Sequence, residues 1–215
     1  MLGLGTGQIN SSCGFVGTFD GQGYTISNFE APKGGLFLIL GNKAVVKNVA
    51  FKDAILNTLP VNDKFVLATY VYGAKVQNVY INSSSDIKSQ NNAMVVACFT
   101  SSSNVINCLF EYTGNVTTTL NYGSIMHVAD SSVAPKAQFN NVYLVSTTPM
   151  LVSGAFYCDA FEFEGDAFKS RDFRKVETVV HYLTYEDMLA AENDFSSFDE
   201  TYWDYSSGIL TWIIK

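Results

Sequence analysis

The chain has 215 residues, of which 47% are hydrophobic and 14% aromatic, a composition typical of a folded domain with a sizeable core and not of a disordered chain. Its net charge of −7 is divided unevenly, with +1 over residues 1–150 and −8 over residues 151–215. The chain therefore lacks the basic surface that is typical of nucleic-acid binding. No stretch reaches the length of about 18 apolar residues that would predict a membrane span.

The N-terminal residues MLGLGTGQINSSCG have no basic region leading into an apolar core, so they predict no secretory signal. That pattern fits a virion protein assembled in the cytoplasm, a leaderless fragment of a larger surface protein, or an ordinary cytoplasmic protein. The four cysteines have no C-x-x-C spacing, so we expect small buried core residues and not a zinc or dithiol site. They are Cys13, Cys98, Cys108 and Cys158.

An internal repeat organises the first 150 residues. Five segments share the order apolar, any, Asn, apolar, any, apolar: YTISNFEA, AVVKNVAF, AKVQNVYI, SNVINCLF and AQFNNVYL. Their asparagines are spaced by 20, 30, 29 and 34 residues. Alternation on each side of the Asn is a strand signal. The asparagines are Asn28, Asn48, Asn78, Asn107 and Asn141.

Each asparagine interrupts the alternation, and asparagine tolerates the left-handed backbone conformation of a corner. Strand-and-turn units of this length bury their apolar faces only by stacking on one another. Stacked corners would place the five amides in one column, about 4.8 Å apart, where each bonds the next. We interpret the asparagines as a structural ladder and not as a ligand site.

A second strand precedes the later asparagines: GGLFLIL, FVLATYV, AMVVACF and GSIMHVA are apolar almost throughout, as in strands that are covered on both faces. The prediction is an all-β fold, a short right-handed parallel β-helix of about five rungs over residues 1–155. An antiparallel sandwich is the alternative, because Asp20-Gly21 is a frequent hairpin turn. The sandwich accounts for that turn but not for the recurring Asn.

Four segments resemble the GLUG-repeat bacterial surface proteins. They are GTFDGQGYTISNF (residues 17–29), GGLF (residues 34–37), AVVKNVAF and the closing FSSFDETYWDYSSGILTWIIK. The resemblance covers about half the chain. It implies a parallel β-helix in extracellular or surface proteins, commonly linked to adhesion and without an assigned catalytic site. Leu38 departs from the family's G-L-F-G pattern, and later units lose the G-L-F triplet.

Residues 156–215 lose the repeat and are predicted to form a small acidic α/β appendage or cap. Thr184 and Asp187 have the spacing of a capping box, which predicts a short helix ending near Asn193. The aromatic residues of this region are expected to plug or flank the β-helix, with a sugar-stacking platform as the alternative. They are Phe195, Phe198, Tyr202, Trp203, Tyr205 and Trp212.

Catalysis is not expected, and neither a cofactor nor a metal site is predicted. The carboxylates of the repeat region occur at different offsets from the ladder, so they do not predict an acid/base pair. His127 and His181 lie far apart in sequence and are interpreted as structural. The carboxylates in question are Glu30, Asp53, Asp86 and Glu111.

The residues two positions after each ladder Asn should point outward, and four of the five are apolar or aromatic: they are Glu30, Ala50, Tyr80, Leu109 and Tyr143. A solvated column is normally polar. We therefore predict that Tyr80, Leu109 and Tyr143 form a contact face, covered by the C-terminal appendage or by another chain.

The sequence thus predicts a non-catalytic structural or adhesive module of a cell-surface or virion protein, located outside the cell, at its surface or in a virion. A protein partner or self-association is expected, a glycan partner is an option, and nucleic acid and a membrane span are not expected. The alternative function is a carbohydrate-active β-helix, similar to a polysaccharide lyase or glycoside hydrolase. An exposed first rung, close to Met1, is expected to need a cap or partner.

Overall fold

The computed structural model describes residues 14–31, 35–56, 65–89, 93–100, 102–118, 123–129, 137–147, 151–153 and 179–215. These residues are almost entirely β structure, and their strands stack into a parallel β-solenoid. The predicted parallel β-helix fold is confirmed, with about three turns where about five rungs were predicted. The alternative of an antiparallel sandwich is wrong, because the strands of both large sheets pair in parallel.

The strands and the helix are β1 (Thr18–Asp20), β2 (Thr25–Ser27), β3 (Phe37–Leu40), β4 (Val45–Lys52), β5 (Ala68–Val71), β6 (Lys75–Ser83), β7 (Ile87–Ser89), β8 (Ala93–Met94), β9 (Ala97–Phe99), β10 (Asn104–Tyr112), β11 (Val116–Thr118), β12 (Gly123–Ser124), β13 (His127–Ala129), β14 (Gln138–Ser146), β15 (Leu151–Ser153), β16 (Val179–Tyr182), α1 (Tyr185–Ala190), β17 (Trp203–Asp204) and β18 (Thr211–Trp212).

Two parallel sheets form the main walls of the solenoid. The long sheet has the order β1-β4-β6-β10-β14-β16, with β2 also paired to β4, and the second sheet has the order β3-β5-β9-β13-β15. Two short parallel sheets, β7-β11 and β8-β12, lie between these walls in the sequence. About three turns separate β4 from β14.

The interior of the solenoid is filled by columns of apolar side chains at equivalent positions. In the long sheet, Val46, Val76, Val105 and Phe139 lie opposite one another on successive strands. All four are buried. Stacking equivalent residues lets each turn bury an apolar face that it could not bury alone. The apolar residues of the repeat thus form the inner core of the solenoid.

The Asp20-Gly21 turn does not fold into a hairpin. It joins β1 to β2, and both strands pair in parallel with β4. A Cβ atom on Gly21 would lie 2.5 Å from the Cβ of Val49 and 2.6 Å from the backbone oxygen of Asn48. Glycine is required here because the first turn packs closely on the strand that follows it.

Residues 179–215, called the C-terminal segment below, begin inside the long sheet, since β16 pairs in parallel with β14. Thr184 and Asp187 form the reciprocal capping box that their spacing predicts, and α1 follows directly. The predicted boundary between residues 155 and 156 lies outside the described residues. Among the described residues, no helix is long and apolar enough to cross a membrane.

Candidate functional site

One column of side chains runs along the outer face of the long sheet. Thr25 lies opposite Ala50, then Tyr80, Leu109 and Tyr143 follow on successive strands. We call these five residues the outer column. Thr25 occupies the place that the repeat spacing predicts for Glu30, and Glu30 instead forms a bridge with Ile55.

The C-terminal segment covers the outer column. Leu109 is fully buried and Tyr143 is 7% exposed, while Tyr80 is partly buried against the same cluster. Buried residues of the outer face and of the C-terminal segment together form a second hydrophobic core, which we call the flank core. It is separate from the inner core. Its buried residues are Ala50, Leu109, Tyr143, Val145, Met188, Phe195, Phe198, Trp203, Leu210 and Trp212.

Aromatic edge-to-face contacts hold the flank core together. The ring of Tyr143 lies 5.1 Å from that of Phe195, Phe198 lies 5.3 Å from Trp203, and Trp203 lies 5.0 Å from Trp212. Edge-to-face pairs at these separations add to the stabilisation from burial alone. The aromatic residues of the C-terminal segment therefore flank the solenoid.

A carboxylate joins the two sides of this interface. Glu111, on β10, accepts hydrogen bonds from the hydroxyl groups of Tyr80 (2.8 Å) and Tyr185 (2.9 Å), which lie on β6 and α1. Burial, and after it the charge of Glu111, raises the pKa of both phenols above their usual range. The tyrosines therefore stay protonated and act as donors, not as bases.

A half-open cavity of about 120 Å³ lies beside this hydrogen-bonded group, between the solenoid and the C-terminal segment. Its walls combine aromatic, aliphatic, hydroxyl and ammonium groups. The lining residues are Thr25, Lys52, Tyr80 and Leu109 on the solenoid and Tyr185, Thr211, Trp212 and Ile214 on the segment. This mixture is typical of ligand pockets, in which a few polar groups are set among apolar walls.

The corner asparagines bond in two pairs. The Nδ2 of Asn78 donates to the Oδ1 of Asn48, and the Nδ2 of Asn141 donates to the Oδ1 of Asn107, each at 3.1 Å. All four have φ between 50° and 55°, the left-handed region that asparagine tolerates. Between the pairs, the Nδ2 of Asn107 donates to the backbone oxygen of Ser197, at 2.9 Å.

Asn28 does not stand in line with the other four asparagines. It follows Ser27, which lies opposite Lys52, so Asn28 reaches the next corner along the rung. Asp20 takes its place, because the Nδ2 of Asn48 donates to the Oδ1 of Asp20 at 3.0 Å. The backbone N–H of Gln22 is the main cause that lowers the pKa of Asp20.

The other titratable candidates have structural partners. The Sγ of Cys98 lies 3.4 Å from the Nδ1 of His127 in the buried interior, and the Nε2 of His181 lies 2.6 Å from the backbone oxygen of Ser146. Burial raises the pKa of the Cys108 thiol to about 12. Cys13 and Cys158 lie outside the described residues.

The residues that pair with Glu111 across the sheet are not acidic, although the charge of Asp53 also acts on Tyr80, which donates to Glu111. Its neighbours across the sheet are Asn82 and Val145. The Oδ1 of Asp86 instead accepts hydrogen bonds from the backbone and side chain of Asn115. In the part of the chain that the structure describes, no group of three or more His, Cys, Asp or Glu residues could hold a metal ion.

No family model, curated protein or solved structure matches the chain. The resemblance to GLUG-repeat proteins therefore depends on the sequence motifs alone.

The sequence reading missed the residues that attach the C-terminal segment. Tyr185 follows Thr184 in the capping box, but nothing in its local pattern indicates a bond to Glu111, 74 residues earlier. The sequence indicates that Trp212 belongs to the aromatic cluster, but it does not indicate that Trp212 lines a cavity. A polar side chain beside the outer column, such as Glu111, is the one local signal that could have indicated the attachment.

Proposed function

We propose that this chain is a non-catalytic structural or adhesive β-solenoid module that acts through protein or glycan contacts. The observation that carries the proposal is an exposed apolar edge at the first rung. Within the described residues, β3 pairs along its length only with β5, and Phe15 makes one isolated bridge to Leu40 on the other side.

Apolar side chains surround that edge. Phe15 is 37% exposed, Val16 57% and Leu38 42%. An edge strand with free backbone groups and apolar neighbours is a template for pairing with another chain. This arrangement favours self-association or a protein partner at the first rung.

A scaffold role is also supported by how the charged side chains are used. Glu111 is held by two tyrosines, Asp20 by Asn48 and by Lys47 at 3.1 Å, and Asp86 by Asn115. Each of these carboxylates accepts hydrogen bonds from neighbouring groups of the protein, so its oxygens are already used within the fold. They therefore suit a structural role better than that of a general acid.

A location at a cell surface or in a virion is part of this proposal. Its support is the resemblance of GTFDGQGYTISNF to the GLUG-repeat surface proteins and the elongated stacking of a solenoid, which presents extended surfaces to partners.

Light scattering at several protein concentrations tests the assembly. We expect a concentration-dependent oligomer that Leu38→Lys reduces to a monomer, because a charge on the edge opposes strand pairing. Leu183→Lys is the matched control, since Leu183 is 60% exposed in the C-terminal segment. A wild-type monomer at every concentration would exclude self-association and leave another protein or a glycan as the contact.

A further inference from the structure

The ladder of corner amides has a fixed direction. A carboxylate only accepts hydrogen bonds, so the bond from Asn48 to Asp20 fixes which way the Asn48 amide is turned. The Oδ1 of Asn48 then faces the following turn, where it accepts from Asn78. Asn141 donates to Asn107 in the same direction. Each of these amides therefore donates toward the preceding turn and presents its oxygen to the turn that follows.

The oxygen that Asn78 presents has no hydrogen-bond partner, although Asn78 is almost completely buried. The corner residue on the next strand is Asn107, since the residues before the two corners, Gln77 and Ile106, lie opposite one another. The two asparagines have nearly the same φ, 50° and 53°. Corners of this kind bond at 3.1 Å in the two pairs on either side. The backbone thus places Asn107 where its amide can donate to Asn78.

The C-terminal segment binds that amide instead. The Nδ2 of Asn107 donates to the backbone oxygen of Ser197 at 2.9 Å, while its Oδ1 still accepts from Asn141. Docking of the segment therefore changes the acceptor of one N–H group and leaves the rest of the ladder in place. It also leaves the buried oxygen of Asn78 unpaired, which costs free energy in the docked state.

The bond to Ser197 belongs to a part of the molecule that packs by itself. The apolar residues that follow β16 lie in the flank core, which is separate from the inner core. Separately packed units of a protein open locally at a lower free energy than the whole fold. When this unit opens, Ser197 leaves, and the Oδ1 of Asn78 remains as the acceptor at the neighbouring corner.

We propose that the Asn107 amide is a two-position switch that couples docking of the C-terminal segment to the continuity of the ladder. With the segment docked, the amide donates to Ser197 and the ladder is broken. With the segment released, it donates to Asn78, and the ladder is continuous from Asp20 to Asn141. The ladder bond offsets part of the cost of release, so the switch regulates how often the outer column is uncovered.

Hydrogen exchange of the full chain tests this competition. Asn78→Gly removes the competing oxygen and tolerates the positive φ of the corner. It weakens the solenoid by removing the bond to Asn48, yet it should make release of the segment about threefold to tenfold rarer, because the released state loses its compensating bond. We expect exchange to slow by that factor at the backbone N–H groups of Phe198 and Ile213, which bond within the segment.

Two further variants show whether the effect passes through Asn107. In a chain that carries Asn107→Gly, adding Asn78→Gly should not slow exchange, since no amide is left to change its acceptor. Asn141→Gly is the matched control, because it removes a ladder bond at a corner with the same φ as Asn107 but leaves the oxygen of Asn78 in place. Exchange in the segment should then stay at the wild-type rate.

A variant that releases the segment gives a direct measurement. In Trp203→Ala, NMR should detect a scalar coupling across the hydrogen bond between the Nδ2 of Asn107 and the Cγ of Asn78. The wild type should lack this coupling, because its Asn107 amide donates to Ser197.

The proposal is overturned if Asn78→Gly leaves exchange in the segment unchanged or makes it faster, as a purely structural role of Asn78 predicts. It is equally overturned if Asn78→Gly slows exchange to the same extent in the chain that carries Asn107→Gly, or if Asn141→Gly slows it as much. A released segment in Trp203→Ala without the coupling between Asn107 and Asn78 would also contradict it.

Discussion

The inner core and the flank core of this protein arise from two different kinds of sequence. The inner core repeats, with residues such as Val46, Val76 and Val105 stacked at equivalent positions. The flank core uses aromatic residues that occur once each, such as Phe195 and Trp203. A repeat thus supplies a core turn by turn, whereas the docking of a segment onto that repeat requires non-repeated residues.

The largest expected effect comes from the inner core. Phe110 is fully buried between Ile81 and Leu144, so Phe110→Ala should destabilise the fold by about 3 to 5 kcal/mol through lost burial and a cavity. Because neighbouring turns share the core, we expect one cooperative loss of β structure. Chemical denaturation followed by circular dichroism measures it, and an unchanged midpoint would contradict a shared core.

Trp203→Ala makes a similar cavity in the flank core, with about 3 to 5 kcal/mol of local destabilisation. Here we expect the C-terminal segment to detach while the solenoid stays folded. Hydrogen exchange should rise in α1 and β18 and stay slow in β6 and β10. Fast exchange in all four elements would mean that the two cores unfold as one unit and that the distinction between them is wrong.

A smaller effect is expected at the corner of the long sheet. Asn78 is 5% exposed, has φ +50° and donates to Asn48. Asn78→Ala should cost about 2 to 3 kcal/mol, from a lost buried hydrogen bond and from the left-handed backbone. Asn78→Gly accepts that backbone conformation and should cost about 1 kcal/mol less.

Asn28→Ala is the control for the corner, because Asn28 is exposed and also has positive φ, but does not bond to another ladder amide. It should cost only the backbone penalty, about 1 kcal/mol. Thermal unfolding compares the three variants. If Asn78→Gly were as stable as the wild type, the hydrogen bond between the amides would not contribute to stability.

The smallest effect concerns pH and the attachment at Glu111. The folded state raises the pKa of Tyr80 and Tyr185, mainly by burial, so it holds their protons more tightly than the unfolded chain, whose tyrosines titrate near pH 10. This contribution is complete below about pH 10 and falls as the pH rises, by at most about 1.4 kcal/mol per pH unit for each tyrosine.

We therefore expect the C-terminal segment to detach at alkaline pH before the solenoid unfolds, as measured by tyrosinate absorbance together with circular dichroism. Tyr185→Phe removes one of the two titrating groups and should flatten the pH dependence. An unchanged pH dependence in that variant would show that the phenols do not link the segment to the solenoid.

The repeat made much of the fold predictable. The asparagines at 48, 78, 107 and 141 all occur between alternating apolar residues, and the structure gives each of them a corner with positive φ. The first rung was harder to interpret because it contains two corner signals, Asp20-Gly21 and Asn28. The shared Asn pattern favoured Asn28, but close packing on Val49 and Asn48 requires the glycine, so the rung aligns through Asp20.

The candidate site was predictable only in part. The apolar character of Tyr80, Leu109 and Tyr143 indicated that something covers the outer column, because a column exposed to solvent is normally polar. The partners could not be predicted, since Tyr185 and Trp212 reach the column from distant sequence positions and follow no repeat. Contacts of that kind depend on the packing of the whole segment and leave no periodic signal.

The bond from Asn107 to Ser197 has a consequence for the accuracy of folding. Turns of a repeat resemble one another, so a segment that docks by shape alone could settle one turn too high or too low, a displacement of about 4.8 Å. Asn107 turns its amide away from the neighbouring Asn78, whose Oδ1 stays buried without a partner, and donates to the segment instead. A single broken step in an otherwise regular stack thus marks one turn as different from the rest and removes the translational ambiguity of docking.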